Sequence, residues 1–204
     1  ARGHGDSARM PAGDHDPGQD IAEAIDLLGL VSPIVMGHSV GARATAAFAS
    51  AHPDKVSKVV LEDPPFLPLI DRATSDRRAA RFSGQVESFA AMSQTELVAM
   101  GRETSPLWHD DDFPAWAQAK HQVDPRAMPF YSRPWQDIVA AITAPTLLVH
   151  GVSAQGGLVT PAIAQEARAL NPNLVTVEIE GAGHNTRREN FPDYLSAVQT
   201  FLRS

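Results

Sequence analysis

Apolar residues along this chain follow two rhythms, and the places where one gives way to the other mark its elements. Ile21, Ile25 and Leu28 recur at helical spacing behind Asp16-Pro17, an N-cap followed by a first-turn proline, until Gly29 interrupts them. The short apolar run from Val31 to Met36 then predicts a buried strand, and the alanine-rich segment from Gly41 to His52 a helix closed by Pro53. Val56 to Leu61 predicts a second strand, ended abruptly by Pro64-Pro65. Further on, Thr146 to His150 predicts a strand, Pro161 to Leu170 a helix, and Leu174 to Ile179 a last strand. In that strand Val175, Val177 and Ile179 alternate with polar neighbours, as on a sheet edge with one wet face. Phe191, Leu195, Val198 and Leu202 predict an apolar stripe on a final helix.

Between Phe66 and Ala144 the rhythm is helical throughout, with many charges and all three tryptophans. Helices are expected near Asp71 to Phe82, Gly84 to Met92, Thr95 to Glu103, Pro114 to Gln122 and Trp135 to Ile142. About 80 residues without a strand exceed an ordinary connection and predict an inserted subdomain. The expected organisation is therefore a core in two parts, residues 1–65 and 145–204, with a helical cap over 66–144. Strands alternating with helices predict an α/β fold with a mostly parallel sheet and helices on both faces. In such sheets sites form beyond the carboxyl ends of the strands, where Ser39, Glu62, Asp63, the loop from Gly151 and the loop carrying His184 all lie.

Composition narrows the partners. The chain has 204 residues, 43% of them hydrophobic, which is enough for a substantial core. A net charge of -7, with paired basic residues only at Arg77-Arg78 and Arg187-Arg188, leaves no footprint for nucleic acid. With no cysteine, disulfides, a thiol nucleophile and thiolate metal sites are excluded. No apolar run approaches the roughly 18 residues of a membrane span and no signal-peptide pattern opens the chain, so a cytoplasmic protein without a membrane partner is expected. Asp110-Asp111-Asp112 precede Phe113-Pro114 as a helix start would, and no metal is expected there. The oligomeric state is left open.

The chemistry concentrates at Gly37-His38-Ser39-Val40-Gly41, between a strand and a helix. Glycines two before and two after the serine let the two backbones pass closely, which a side chain at Gly37 or Gly41 would obstruct, and Ser39 is forced to the tip. A serine hydroxyl needs a base, and the base needs an acid to orient it. His184, after the last strand in the small-residue loop Gly181 to Asn185, is the best base available. His38 suits pocket lining better, and His4 packing in the first loop.

Three motifs in order, Arg2-Gly3-His4-Gly5-Asp6-Ser7, the elbow at Ser39 and Gly181-Ala182-Gly183-His184, make the chain resemble the α/β-hydrolase fold superfamily from end to end. The resemblance implies Ser39 as nucleophile, His184 as base and the Val40 amide as an oxyanion-hole donor. It also implies that the sheet's first strands lie upstream of Ala1, in a segment expected to complete the sheet. The chain departs from the family in its acid, because the loop Gly151 to Thr160 holds no carboxylate. Asp63 stands at the position some members use instead, and Glu62 beside it points to the opposite face. Asp63 is chosen, with Glu62 as its rival.

His38, Trp108, Trp135 and Val159 are candidate substrate contacts, although aromatic residues of a small cap serve equally well as its own core. The expected activity is hydrolysis of a carboxylic ester or lactone of a small to medium apolar substrate through an acyl-enzyme, with no cofactor. Alternatives on the same residues are carbon-carbon bond hydrolysis and a ligand receptor with little turnover.

Overall fold

The computed structural model describes residues 1–204, which form two compact units. One comprises residues 18–68 and 133–204 and contains the sheet, while the other comprises 1–17 and 69–132.

In the sheet unit, α1 (Pro17–Leu27) leads to β1 (Ile34–His38), α2 (Val40–Ala51) and β2 (Lys58–Glu62). Its four strands are all parallel in the order β1-β2-β3-β4, with β3 at Thr146–Gly151 and β4 at Leu174–Ile179. Alternation along the strands builds two cores. Val59, Leu61 and Leu148 pack with α1 and α2, whereas Val60, Leu147 and Val149 pack on the opposite face with the C-terminal helix. Because both faces of β2 and β3 are covered, they read as continuous apolar runs. β1 is paired only with β2, and Ile34 and Met36 are about half exposed.

The first helix buries Ala22 and Ile25 but leaves Leu28 exposed, since the chain has already turned into Gly29 at φ 61°. The stripe on the last helix is also displaced from expectation. It buries Tyr194, Val198 and Phe201, while Phe191 and Leu195 face outward. That face lies over Val60, Leu147 and Val149, and Val175, expected inside, is half exposed while Leu174 before it is buried in the opposite core.

The second unit holds α3 (Arg72–Ala90), α4 (Gln94–Thr104) and α5 (Asp112–Lys120). α3 is one helix where two were expected, because an exposed Gly84 weakens a helix by only about 1 kcal/mol and need not break it. Leu97, Phe113 and Ala117 form its interior, with the Trp108 ring stacked on Phe113 at 5.9 Å and meeting Trp116 edge-on at 6.3 Å.

The division differs from the expected one at both ends of the helical segment, residues 66–68 and 133–144 belonging to the sheet unit, and in the first 17 residues. The first loop joins the helical unit, because buried Asp124 accepts bonds from the Met10 and Arg126 amides and its own amide donates to the Gly3 carbonyl. The Arg126 guanidinium holds the Asp124 carboxyl well below the usual carboxylate range. Conversely α6 (Trp135–Ala140) belongs to the sheet unit, where Trp135, Ile138 and Val139 are buried in its core. It is followed there by α7 (Pro161–Leu170), α8 (Thr186–Glu189) and α9 (Phe191–Arg203).

The two elbow glycines prove unequal. A Cβ on Gly37 would stand 2.4 Å from the Gly41 carbonyl oxygen and 2.6 Å from Thr45 Oγ1, whereas one on Gly41 would meet nothing within 4 Å. The close approach therefore belongs to Gly37 alone. Gly37→Ala is expected to cost about 3 kcal/mol through overpacking against backbone, and Gly41→Ala to be neutral or stabilising by up to about 1 kcal/mol, as measured by urea unfolding.

Candidate active site

Ser39 is the hinge between β1 and α2. Its backbone sits at φ 54° and ψ -123°, a conformation that side-chain-bearing residues rarely adopt, and its amide donates to the Glu62 carbonyl of the neighbouring strand at 2.9 Å. The strand thus delivers the serine to the sheet's carboxyl edge, and the turn lifts its hydroxyl out. Val40 is the first residue of α2, so its amide belongs to the first-turn donors that no helical carbonyl satisfies.

β4 ends at Ile179, two residues beyond the level of His38 and Glu62 at the same edge, and the loop after it carries His184 back across the sheet. The imidazole lies between two oxygens, with Nε2 2.9 Å from Ser39 Oγ and Nδ1 2.7 Å from Asp63 Oδ2. This arrangement requires Nδ1 to carry a hydrogen toward the carboxylate, which leaves Nε2 to accept one from the serine. Asp63 follows β2 in a left-handed conformation, φ 41°, and is completely buried.

A buried carboxylate must be matched by donors. Asp63 Oδ1 accepts from the Val159 amide at 2.9 Å, and Oδ2 accepts from the Leu158 amide at 2.8 Å as well as from His184. The loop that contains no carboxylate therefore still reaches the acid, through its main chain. Close backbone passage makes this geometry feasible. A Cβ on Gly151 would fall within 2.5 Å of both the Ala182 and the Gly183 carbonyl oxygens, so only glycine lets the loop after β3 lie against the loop of His184.

Glu62, the rival acid, turns the other way, as strand alternation requires. Buried at 2% exposure, it accepts from Thr186 Oγ1 at 2.9 Å and from the amide and Nη1 of Arg187 at 3.1 and 2.7 Å. It makes no bond to the His184 ring.

The remaining candidates divide. One ring nitrogen of half-buried His38 is committed within the protein: Nε2 donates to the His184 carbonyl at 2.9 Å, and the two rings lie 4.7 Å apart. Burial pushes the His38 imidazole below its ordinary value, which favours the neutral ring with hydrogen on Nε2. Trp135 is 2% exposed and stacked on Phe66 at 4.8 Å, so its indole is closed to a bound molecule. The Val159 side chain is likewise wholly buried, and that residue serves the site by its amide. Trp108 packs inside the helical unit with Phe113 and Trp116, and His4 bonds the Arg2 carbonyl there.

The family model for the alpha/beta hydrolase fold matches residues 1–187. Across 98% of its length the chain is 31% identical to a 2-(acetamidomethylene)succinate hydrolase of Mesorhizobium japonicum, and the match spans 76% of that protein. An N-formylmaleamate deformylase of Pseudomonas putida is 27% identical over the same shares of both chains. The crystal structure of an E-2-(acetamidomethylene)succinate hydrolase superposes on the whole chain and on 79% of its own, with a TM-score of 0.78 at 24% identity. With its parallel sheet, its strand-to-helix serine turn and a family match over most of its length, the chain belongs to the α/β hydrolase fold family and is a hydrolase of that fold.

Proposed function

We propose that the chain is a serine hydrolase that forms an acyl-enzyme on Ser39, with carboxylic esters or lactones of small to medium size as its substrates. The observation that carries this reading is the unbroken hydrogen-bonded series from Asp63 through His184 to Ser39. The Ser39 oxygen attacks the substrate carbonyl as its proton passes to His184 Nε2, and the resulting imidazolium is stabilised by the Asp63 carboxylate. The Val40 amide donates to the oxyanion at the start of α2, where the helix dipole favours negative charge. Collapse of the tetrahedral intermediate breaks the bond to the leaving oxygen, which takes the proton from His184. Water then attacks the acyl group as its proton passes to His184, and collapse of the second tetrahedral intermediate breaks the bond to Ser39 Oγ, which takes that proton as the acid product leaves.

A second reading of the scissile bond has its own support. The names of both relatives describe acyl groups carried on nitrogen in small carboxylic acids. The same steps cleave such a compound if the leaving nitrogen takes the proton from His184. Product analysis by mass spectrometry on p-nitrophenyl butyrate, a simple lactone and a small N-acyl dicarboxylate separates the readings. Preferred turnover of the first two supports the ester or lactone, and preferred turnover of the third replaces it with the amide.

The intact mass after reaction with a fluorophosphonate is expected to show one adduct, absent from Ser39→Ala, whose kcat/KM falls roughly 10^4-fold or more. An unlabelled wild-type chain overturns the proposal. Asp63→Asn is expected to lower kcat roughly 10^3- to 10^4-fold, because an amide NH2 must face at least one of three N–H donors now met by the carboxylate. Leaving one such donor unmatched is also expected to cost about 1–3 kcal/mol in thermal unfolding.

A further inference from the structure

We infer that Glu62 is a positioning residue for His184, acting through the turn that follows the histidine. This inference rests on the assignment of His184 as the base of the proposed reaction.

His184 has to satisfy Ser39 on one side and Asp63 on the other, at 2.9 and 2.7 Å, from a loop whose preceding residues are Gly181, Ala182 and Gly183. Only the Ala182 methyl packs into the core, so hydrogen bonds must fix the rest of the loop. On the approach, the Val152 amide donates to the Ala182 carbonyl at 2.7 Å and the Gly183 amide donates to the Glu189 carboxylate. At the histidine, His38 holds its carbonyl. On departure, the Arg188 and Glu189 amides close the turn on the Asn185 carbonyl, and one carboxylate ties that turn to the sheet: Glu62 receives the Thr186 hydroxyl, the Arg187 amide and the Arg187 guanidinium.

Glu62 is anchored in turn. It is the last residue of β2, paired in register with His38 on one side and Val149 on the other, and its neighbour in sequence is Asp63. One strand end therefore fixes both the acid that meets His184 and the turn that carries it. A buried ion pair contributes little to net stability relative to an apolar replacement, and its best-attested use is to specify one arrangement over others. Here the arrangement specified is the path of the chain two and three residues beyond the base. Without the Glu62 charge, Arg187 is free to leave, α8 loosens at its first residues, and the imidazole loses its simultaneous reach to both oxygens. Displacements of about 1 Å at a reacting group cost on the order of 100-fold in rate.

Glu62→Gln is expected to lower kcat for p-nitrophenyl acetate roughly 10- to 100-fold with KM within about twofold of wild type. In a His184→Ala background the same substitution is expected to change the residual rate less than about twofold, because a residue that acts through His184 has nothing left to position. Equal losses in both backgrounds, or an unchanged kcat in the first, overturn the inference. Should Glu62→Gln fail to fold, Thr186→Val and Thr186→Ser decide it. Loss of kcat with valine and recovery with serine supports the anchoring role, and wild-type kcat with both overturns it. Wild-type turnover by His184→Ala itself would instead sink the serine-hydrolase reading.

Discussion

The Asp63 carboxylate has no contact with solvent, and its charge can stay buried only if the protein supplies the donors that water would have given. Those donors come from three residues on two different loops, one following β3 and one following β4. The acid is therefore more than the orienter of an imidazole, because it ties the ends of three parallel strands to one point. Its backbone makes those bonds from a left-handed conformation, φ 41°. Any shift of β3 or β4 in register would leave a charge without partners in the interior.

Backbone proximity is the second requirement, and it explains where glycine cannot be replaced. At Gly37 the strand passes the first turn of its own helix, and at Gly151 one loop passes another, each closer than a Cβ permits. Gly41 looks equivalent on paper but faces open space. The difference lies in which backbone is the obstacle and which is obstructed, and that is a property of the packed pair rather than of either residue.

Much of this organisation was legible in the sequence where the signal is local. The bounds of α7 and β4 follow from Thr160-Pro161 and from period-two alternation, and the strand-turn-helix about Ser39 follows from its flanking pattern. Ser39 and His184 could be singled out because each sits just beyond a strand, whereas Asp63 was chosen over Glu62 only with the help of a family resemblance. The structure separates the two carboxylates by their partners: His184 for one, Thr186 and Arg187 for the other. The Leu158 and Val159 amides had no signature to read, since every residue but proline has an N–H. Trp135 and its stacking partner Phe66 both fall in the expected cap by their place in the chain, although both are buried in the core of the sheet unit. Burial against distant residues likewise set which side of α9 faces inward.

In this chain the loop after β3 serves the acid with its peptide units alone. Ala154, Gln155 and Gly156 are exposed at its outer turn, while the path of the main chain through Gly157, Leu158 and Val159 holds the carboxylate. Shape and chemistry are thereby uncoupled along one short segment. The side chains of Ala154 and Gln155 can drift in size, charge and polarity with no loss of the acid, so long as Gly156, at φ 102°, keeps the trace of the loop. That turn is accordingly ground on which new surface properties can accumulate at little catalytic risk.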